Sequence, residues 1–227
     1  VAVGLLTVDG PAEAQLQASE YQDITVGMLH AFDILYHNAP SARLVFLVEH
    51  RRTAASVPPF IVPAPVPGQT SWDQLENRER IWRDPALQST GLATGFAGLD
   101  QYRNQLMTKP WVVGTPQKSI IAVVTKYNTG WFAYAASGRF VIQLPWTTSQ
   151  VGPDNVDRVM AHEACHLFGG LDEYQPCSPG ATSGPFAAAN GNCLISPLVP
   201  HVACLMGGES DDMCAWTKAH VGWQPFP

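Results

Sequence analysis

His162-Glu163-Ala164-Cys165-His166-Leu167-Phe168-Gly169-Gly170-Leu171-Asp172-Glu173-Tyr174 is the stretch whose reading decides the fold. On a helix, His162 and His166 stand one turn apart on the same face. Two imidazoles so placed can grip one zinc ion. Glu163 lies about a quarter-turn away, where it can reach a water molecule without acting as a ligand. Gly169 can adopt a left-handed backbone, so the helix can stop and the chain can turn back. Asp172 then offers an oxygen as third ligand, with the neighbouring Glu173 as its rival. Val159, Met160, Leu167 and Phe168 supply an apolar face. The segment therefore reads as a buried helix rather than a surface helix with two solvated histidines. Asp154 or Asn155 is the expected N-cap.

The pattern H-E-x-x-H-x-x-G-x-x-D resembles the metzincins, zinc endopeptidases with a downstream methionine turn. Most of them carry His where Asp172 stands. Asp172 is similar to the snapalysin-type variant of secreted bacterial proteases. Cys204-Leu205-Met206-Gly207-Gly208 matches the methionine turn, with Met206 as its methionine. Residues Cys214 to Trp223 resemble the closing helix of secreted bacterial proteins that carry H-E-x-x-H-x-F-G-x-x-D-E-Y. The resemblance covers residues 159–223; before residue 118 only the order of elements is compatible.

That resemblance implies a zincin-like α/β (α+β) fold, in which a mixed twisted sheet and the active-site helix precede a small irregular subdomain stapled by disulfides. The expected division is 1–170 and 171–227, with residues 52–118 as an insertion in the first part. One catalytic Zn2+ is expected on His162, His166 and Asp172, with Glu163 as general base and Met206 beneath the metal. The substrate is a polypeptide lying along an edge strand at Trp131, Phe132, Ala133, Tyr134 and Ala135, where the competing reading is an ordinary hairpin arm. The implied disulfides are Cys177–Cys193 and Cys204–Cys214, with Cys165 an unpaired buried thiol. The implied activity is that of a secreted zinc endopeptidase of bacterial type. The competing readings are a binding or adhesive module on the same scaffold, and a zinc hydrolase of a non-peptide amide or ester. The same metal centre serves all these substrate classes.

Composition is compatible. The 227 residues suffice for a sizeable core. A net charge of -6 and the lack of any basic stripe argue against nucleic acid and anionic membranes as partners. No apolar run reaches transmembrane length, and a monomer is expected. The chain starts at Val1 without a signal-like segment, which reads as a mature or trimmed product. Four of the five cysteines, at 177, 193, 204 and 214, follow the histidine motif in a Gly-, Pro-, Ser- and Asn-rich region. Such regions are often stapled by disulfides in secreted proteins. A second zinc site is the other use for four cysteines, although no C-x-x-C spacing is present.

Periodicity predicts the remaining elements. Residues 1–8 read as a strand, about 13–37 as a helix, and Leu44 to Val48 as a buried strand. Residues 57–68, with five prolines, read as a long surface loop, with an interdomain linker as the alternative. Helices are expected near 71–84 and 95–108, then strands at 119–127, 131–135 and 139–144. Tyr174 can donate to a tetrahedral intermediate or pack under the loop, and His201 is close enough in sequence to Met206 to approach the cleft. His30, His37, His50 and His220 read as packing or surface residues. Asp211 and Asp212 are a candidate Ca2+ pair, with a solvated turn as the alternative.

Overall fold

The computed structural model describes residues 1–39, 44–58, 63–64, 66–110, 118–144, 155–196 and 200–225. Asp154, one of the two expected N-caps, and much of the proline-rich stretch lie outside the described residues. The chain forms two compact units, Val1–Ile24 with Phe46–Pro153, and Thr25–Val45 with Asp154–Pro227. This partition differs from the 1–170 and 171–227 read from the sequence. It groups the histidine helix with the C-terminal segment.

The first unit is built on a five-stranded sheet. Its strands are β1 (Ala2–Asp9), β2 (Leu47–Ala54), β3 (Ser119–Thr125), β4 (Ala133–Ala136) and β5 (Arg139–Gln143), in the order β2-β1-β3-β5-β4. All neighbours are parallel except β4, which runs antiparallel to β5. β1 and β3 are central and buried on both faces, which is why they read as continuous apolar runs. Ser137 and Gly138 close the β4–β5 hairpin with φ of 50° and 79°. This two-residue turn with two positive φ values matches the twist of its strands.

Helices α2 (Ser71–Ser89) and α3 (Gly95–Met107) accompany the sheet, and α3 packs on β1 and β3. Contact is close enough that a Cβ on Gly4 of β1 would sit 2.7 Å from the Tyr102 ring of α3. Leu6, Val8, Trp82, Leu87, Leu99, Tyr102, Ile121, Val123 and Val141 share this core. Within it lies a buried ion network. Glu79 accepts from Arg83 at 3.0 Å, from Arg139 Nε at 2.7 Å and from the Tyr134 hydroxyl at 2.8 Å.

Three boundaries depart from expectation, the first being that the helix read from about residue 13 begins at Ala18, after a 3-10 turn at Ala12–Ala14. The strand expected at Leu44 to Val48 is Leu47–Ala54, half-buried at the sheet edge. Its charged residues hide it: Arg51 and Arg52 lay their guanidinium groups over the rings of Tyr102 and Tyr21, 4.2 and 4.0 Å from the centroids. The helix expected to end near residue 84 runs on through Pro85, and Ala86 and Leu87 beyond it are buried in the core.

The second unit contains most of α1 (Ala18–Asn38), then α4 (Val156–Phe168), the two-residue strands β6 (Thr182–Ser183) and β7 (Ala188–Ala189), a 3-10 turn at Leu205–Gly207, and α5 (Ala215–His220). A Cβ on Gly27 of α1 would lie 2.8 Å from Val156, so the small residue admits α4. At the end of α1 the Asn38 side chain accepts from Met213 N–H at 2.7 Å and donates to the Asp211 carbonyl at 2.8 Å. Among the described residues, no helix is long and apolar enough to cross a membrane.

Candidate metal centre

Asn155 precedes α4 but makes no side-chain cap hydrogen bond. The other end of the helix is built as its sequence requires. Gly169 has φ of 107°, its N–H donates to His166 O at 2.9 Å, and Gly170 N–H donates to Cys165 O at 3.0 Å. This pair of bonds is a Schellman closure, satisfying the last carbonyls while reversing the chain. The reversal brings Asp172 back to the histidines.

His162 Nε2 lies 3.1 Å and His166 Nε2 3.2 Å from the same atom, Asp172 Oδ1. The two rings stand nearly perpendicular, with centroids 4.8 Å apart. Each is fixed from behind by a carbonyl. His162 Nδ1–H donates to Leu205 O at 3.0 Å, and His166 Nδ1–H donates to Gly170 O at 2.8 Å. A carbonyl only accepts, so Nδ1 carries the proton and Nε2 of each neutral ring presents a lone pair. Two nitrogen lone pairs thus converge on a carboxylate oxygen. Without a cation among them, protonation must relieve the repulsion. Burial alone would lower the His166 pKa, but hydrogen bonding to Asp172 and the charges of Glu163 and Asp172 outweigh it and raise it to about 9. Asp172 is also opposed by burial, and its two histidine partners hold its carboxyl far below the usual carboxylate range. This donor set fits a zinc ion, whose charge would take the place of the proton.

Glu163 is buried beside the histidines, and its Oε2 has no hydrogen-bond partner among the described residues. Burial raises its pKa, against the pull of His162 and His166. Tyr174 stacks over His162 with centroids 5.9 Å apart, and its pKa is raised by burial and then by the Asp172 charge. Tyr174 therefore stands at the triad. His201 does not join it: Nδ1 donates to Asn192 O at 2.8 Å, and Nε2 lies 3.1 Å from Glu209.

Met206 is buried in the 3-10 turn, which packs against α4. The turn does two tasks through its backbone. Leu205 O orients His162, and Met206 O accepts from Glu173 N–H at 3.0 Å. Of the two neighbouring carboxylates, only Asp172 lies beside the histidines, because Glu173 turns away and buries its carboxylate against Asn192, Thr217 and Cys214. Sequence reasoning missed Asn190 and Asn192. Asn190 donates to Asp172 O at 2.7 Å, and Asn192 donates to both Glu173 Oε2 and Val202 O. In the sequence, nothing marks these two amides as different from other loop asparagines.

Cys177 and Cys193 form the expected disulfide. The expected Cys204–Cys214 bridge is corrected to two buried thiols. Instead of pairing, Cys204 Sγ accepts from Cys214 N–H at 3.2 Å, and Cys214 Sγ donates to Glu173 Oε1 at 3.0 Å. Cys165 is a buried thiol, and burial pushes its pKa well up. Asp211 accepts from Arg158 at 2.7 Å, and the Asp211–Asp212 pair belongs to neither of the two metal-ligand clusters found among the described residues.

In the other unit, β4 is the terminal strand of the sheet among the described residues. Trp131 and Phe132 precede it and are exposed, while Ala133 and Tyr134 are buried. Gln143 N–H donates to Phe132 O at 2.8 Å. Alternation from that bond turns the N–H and C=O groups of Ala133 and Ala135 away from β5. No family model matches the chain, and no curated protein matches it.

Proposed function

We propose that the chain is a secreted zinc-dependent endopeptidase of the metzincin type. One observation carries this reading: two histidine nitrogens, each set by a carbonyl behind it, converge with Asp172 Oδ1 beside a buried carboxylate that lacks a partner. A purely structural zinc site has no use for Glu163, whereas hydrolysis needs a base at that place. His162, His166 and Asp172 would hold the ion, leaving a fourth position open. When bound, zinc supplies Lewis acidity toward a carbonyl oxygen and lowers the pKa of water. Glu163 takes the proton of the attacking water and delivers it to the departing amine. Its burial favours the protonated state, which suits the delivery step. The outward N–H and C=O groups of Ala133 and Ala135 can accept an extended peptide as a further strand. The Cys177–Cys193 disulfide is in keeping with an oxidising compartment.

The test is incubation of the zinc-loaded protein with denatured protein substrates, with and without a chelator, read by mass spectrometry. Internal cuts that the chelator abolishes are the expected result. Persistent absence of cuts in a fully metal-loaded sample would overturn the endopeptidase reading in favour of a binding module.

A further inference from the structure

The C-terminal unit holds a second group of metal-ligand side chains, with different donors from the histidine triad. The Glu173 carboxylate and the sulfurs of Cys204 and Cys214 lie within 4.8 Å of one another, and all three residues are buried. The Thr217 hydroxyl lies among them, 2.7 Å from Glu173 Oε1, 3.3 Å from Cys204 Sγ and 3.6 Å from Cys214 Sγ. A backbone N–H points at each sulfur, from Cys214 to Cys204 at 3.2 Å and from Thr217 to Cys214 at 3.4 Å.

Glu173 supplies an independent reason to expect a cation. It is fully buried, and no ion pair among the described residues includes it. Its side-chain partners, Asn192, Thr217 and Cys214, are all uncharged groups. Glu79, the buried carboxylate of the sheet unit, has two guanidinium partners, and Glu163 lies beside the two histidines of the first site. A carboxylate taken out of water without a positive partner is costly, and a divalent cation offsets that cost.

We propose that Cys204, Cys214 and Glu173 bind a thiophilic divalent cation of the zinc class, with the Thr217 hydroxyl placed as fourth donor. Two sulfurs select such a cation over calcium or magnesium. Binding releases the two thiol protons to solvent and changes no oxidation state. Four protein donors in a buried pocket make a closed, structural site. The ion ties the loop between Cys204 and Cys214, which carries Met206, to the residue that follows Asp172.

The experiment loads full-length protein, with its Cys177–Cys193 disulfide intact, with cobalt(II), then with zinc. Wild type should take up two cobalt ions per chain and show thiolate-to-cobalt charge-transfer absorption in the near ultraviolet. A His162→Ala/His166→Ala variant should hold one ion and keep the absorption. A Cys204→Ser/Cys214→Ser variant should hold one ion and lose it. If the cysteine variant does not fold, alkylation of wild type decides: zinc should slow modification of Cys204 and Cys214 by roughly tenfold or more, because a ligated thiolate is not free to react. One cobalt per chain without thiolate absorption would overturn the site. So would alkylation indifferent to zinc, or a Cys204–Cys214 disulfide in the protein as purified.

Discussion

In the sheet unit, β3 is buried at every position from Ser119 to Thr125, and β1 from Ala2 to Val8. In the C-terminal unit the strands after α4 are two residues long, and the buried set includes Glu173, Asn190, Asn192, Thr217 and His220. The first unit is held by hydrocarbon repeated along strands and helices, so each residue contributes a modest share. The second is held by particular polar ties. Asn192 alone connects Glu173, Val202 and, through its carbonyl, His201. Sensitivity to substitution should therefore be spread out in the sheet unit and concentrated in the other. Within the C-terminal unit, moreover, groups that serve chemistry should be separable from groups that hold the loops.

The sharpest test of that separation is Glu163→Gln. Turnover should fall by about 100- to 10,000-fold through loss of the base, while zinc content stays unchanged. Because Glu163 is buried with an unpartnered oxygen, the metal-free variant should melt no lower than wild type. A variant that keeps near-normal turnover, or that loses stability together with activity, breaks the separation. Asp172→Ala should instead act on the metal. Loss of groups that merely orient ligands lowers affinity about 10- to 100-fold, and loss of Asp172 should exceed that range in a zinc-competition titration.

The contrast in packing is tested inside the sheet unit by its buried ion network. Glu79→Ala leaves Arg83 and Arg139, whose side chains are 1% and 3% exposed, without their central carboxylate. Leaving a buried charge wholly unpaired costs about 3–5 kcal/mol; Arg83 keeps Glu76 and Asp84 and Arg139 keeps Glu76, so the loss should fall toward the lower end of that range. Ile121→Val, in the middle of β3, should cost about 0.5–1.5 kcal/mol. Denaturant titration of both variants measures the gap, and equal losses would mean that the ion network is no more important than an ordinary core methylene.

Next in size is the disulfide. The Cys177–Cys193 link closes a loop of sequence separation 16, worth about 3 kcal/mol by restriction of the unfolded chain. Inside that loop Asn190 and Asn192 hold Asp172 and Glu173. Cys177→Ser/Cys193→Ser should therefore weaken zinc binding as well as lower stability. A stability loss with unchanged zinc affinity would show that the asparagine ties hold without the staple.

What the sequence disclosed follows the same division. The strands at 2–9, 119–125 and 139–143 announce themselves as apolar runs because they are buried along almost their whole length, and the helix at 95–107 because its burial recurs with the helical period. The edge strand Leu47–Ala54 was misplaced because its arginines cover aromatic rings rather than join the core. At the site, the spacing of His162, His166, Gly169 and Asp172 was legible because one helix and one turn set it. The orienting carbonyls of Leu205 and Gly170 leave no mark on residue type, since every residue has a carbonyl. The pairing of Cys204 with Cys214 was expected from resemblance, whereas the thiols turn to Glu173 and to a backbone N–H. The burial of Glu79 between two arginines was invisible, because Arg139 reaches it from a strand sixty residues away and makes a helical Glu79–Arg83 spacing, ordinarily a surface pair, part of the core.

The smallest predicted effect is one of pH, and it separates the metal-free triad from the loaded one. The His166 pKa is raised from 6.5 to about 9 in the folded protein. Its contribution to stability is thus complete below 6.5 and is lost as pH rises through about 9. Asp172 is depressed below its ordinary 3.8, so its contribution is present above that value and is lost as pH falls. Metal-free protein should accordingly draw most from the pair between pH 3.8 and 6.5 and melt progressively lower from 6.5 to 9. Zinc reverses the slope, because the ion competes with the proton for the same nitrogen and binds better as pH rises. For a chain of this size about 1 kcal/mol corresponds to roughly 2–4 °C in melting temperature. The two melting curves should diverge by a few degrees across that interval. Metal-free His166→Asn should lose the slope that wild type shows. If metal-free wild type and His166→Asn respond identically to pH, the proton is not standing in for the metal, and the convergence of lone pairs on Asp172 must be relieved by another group.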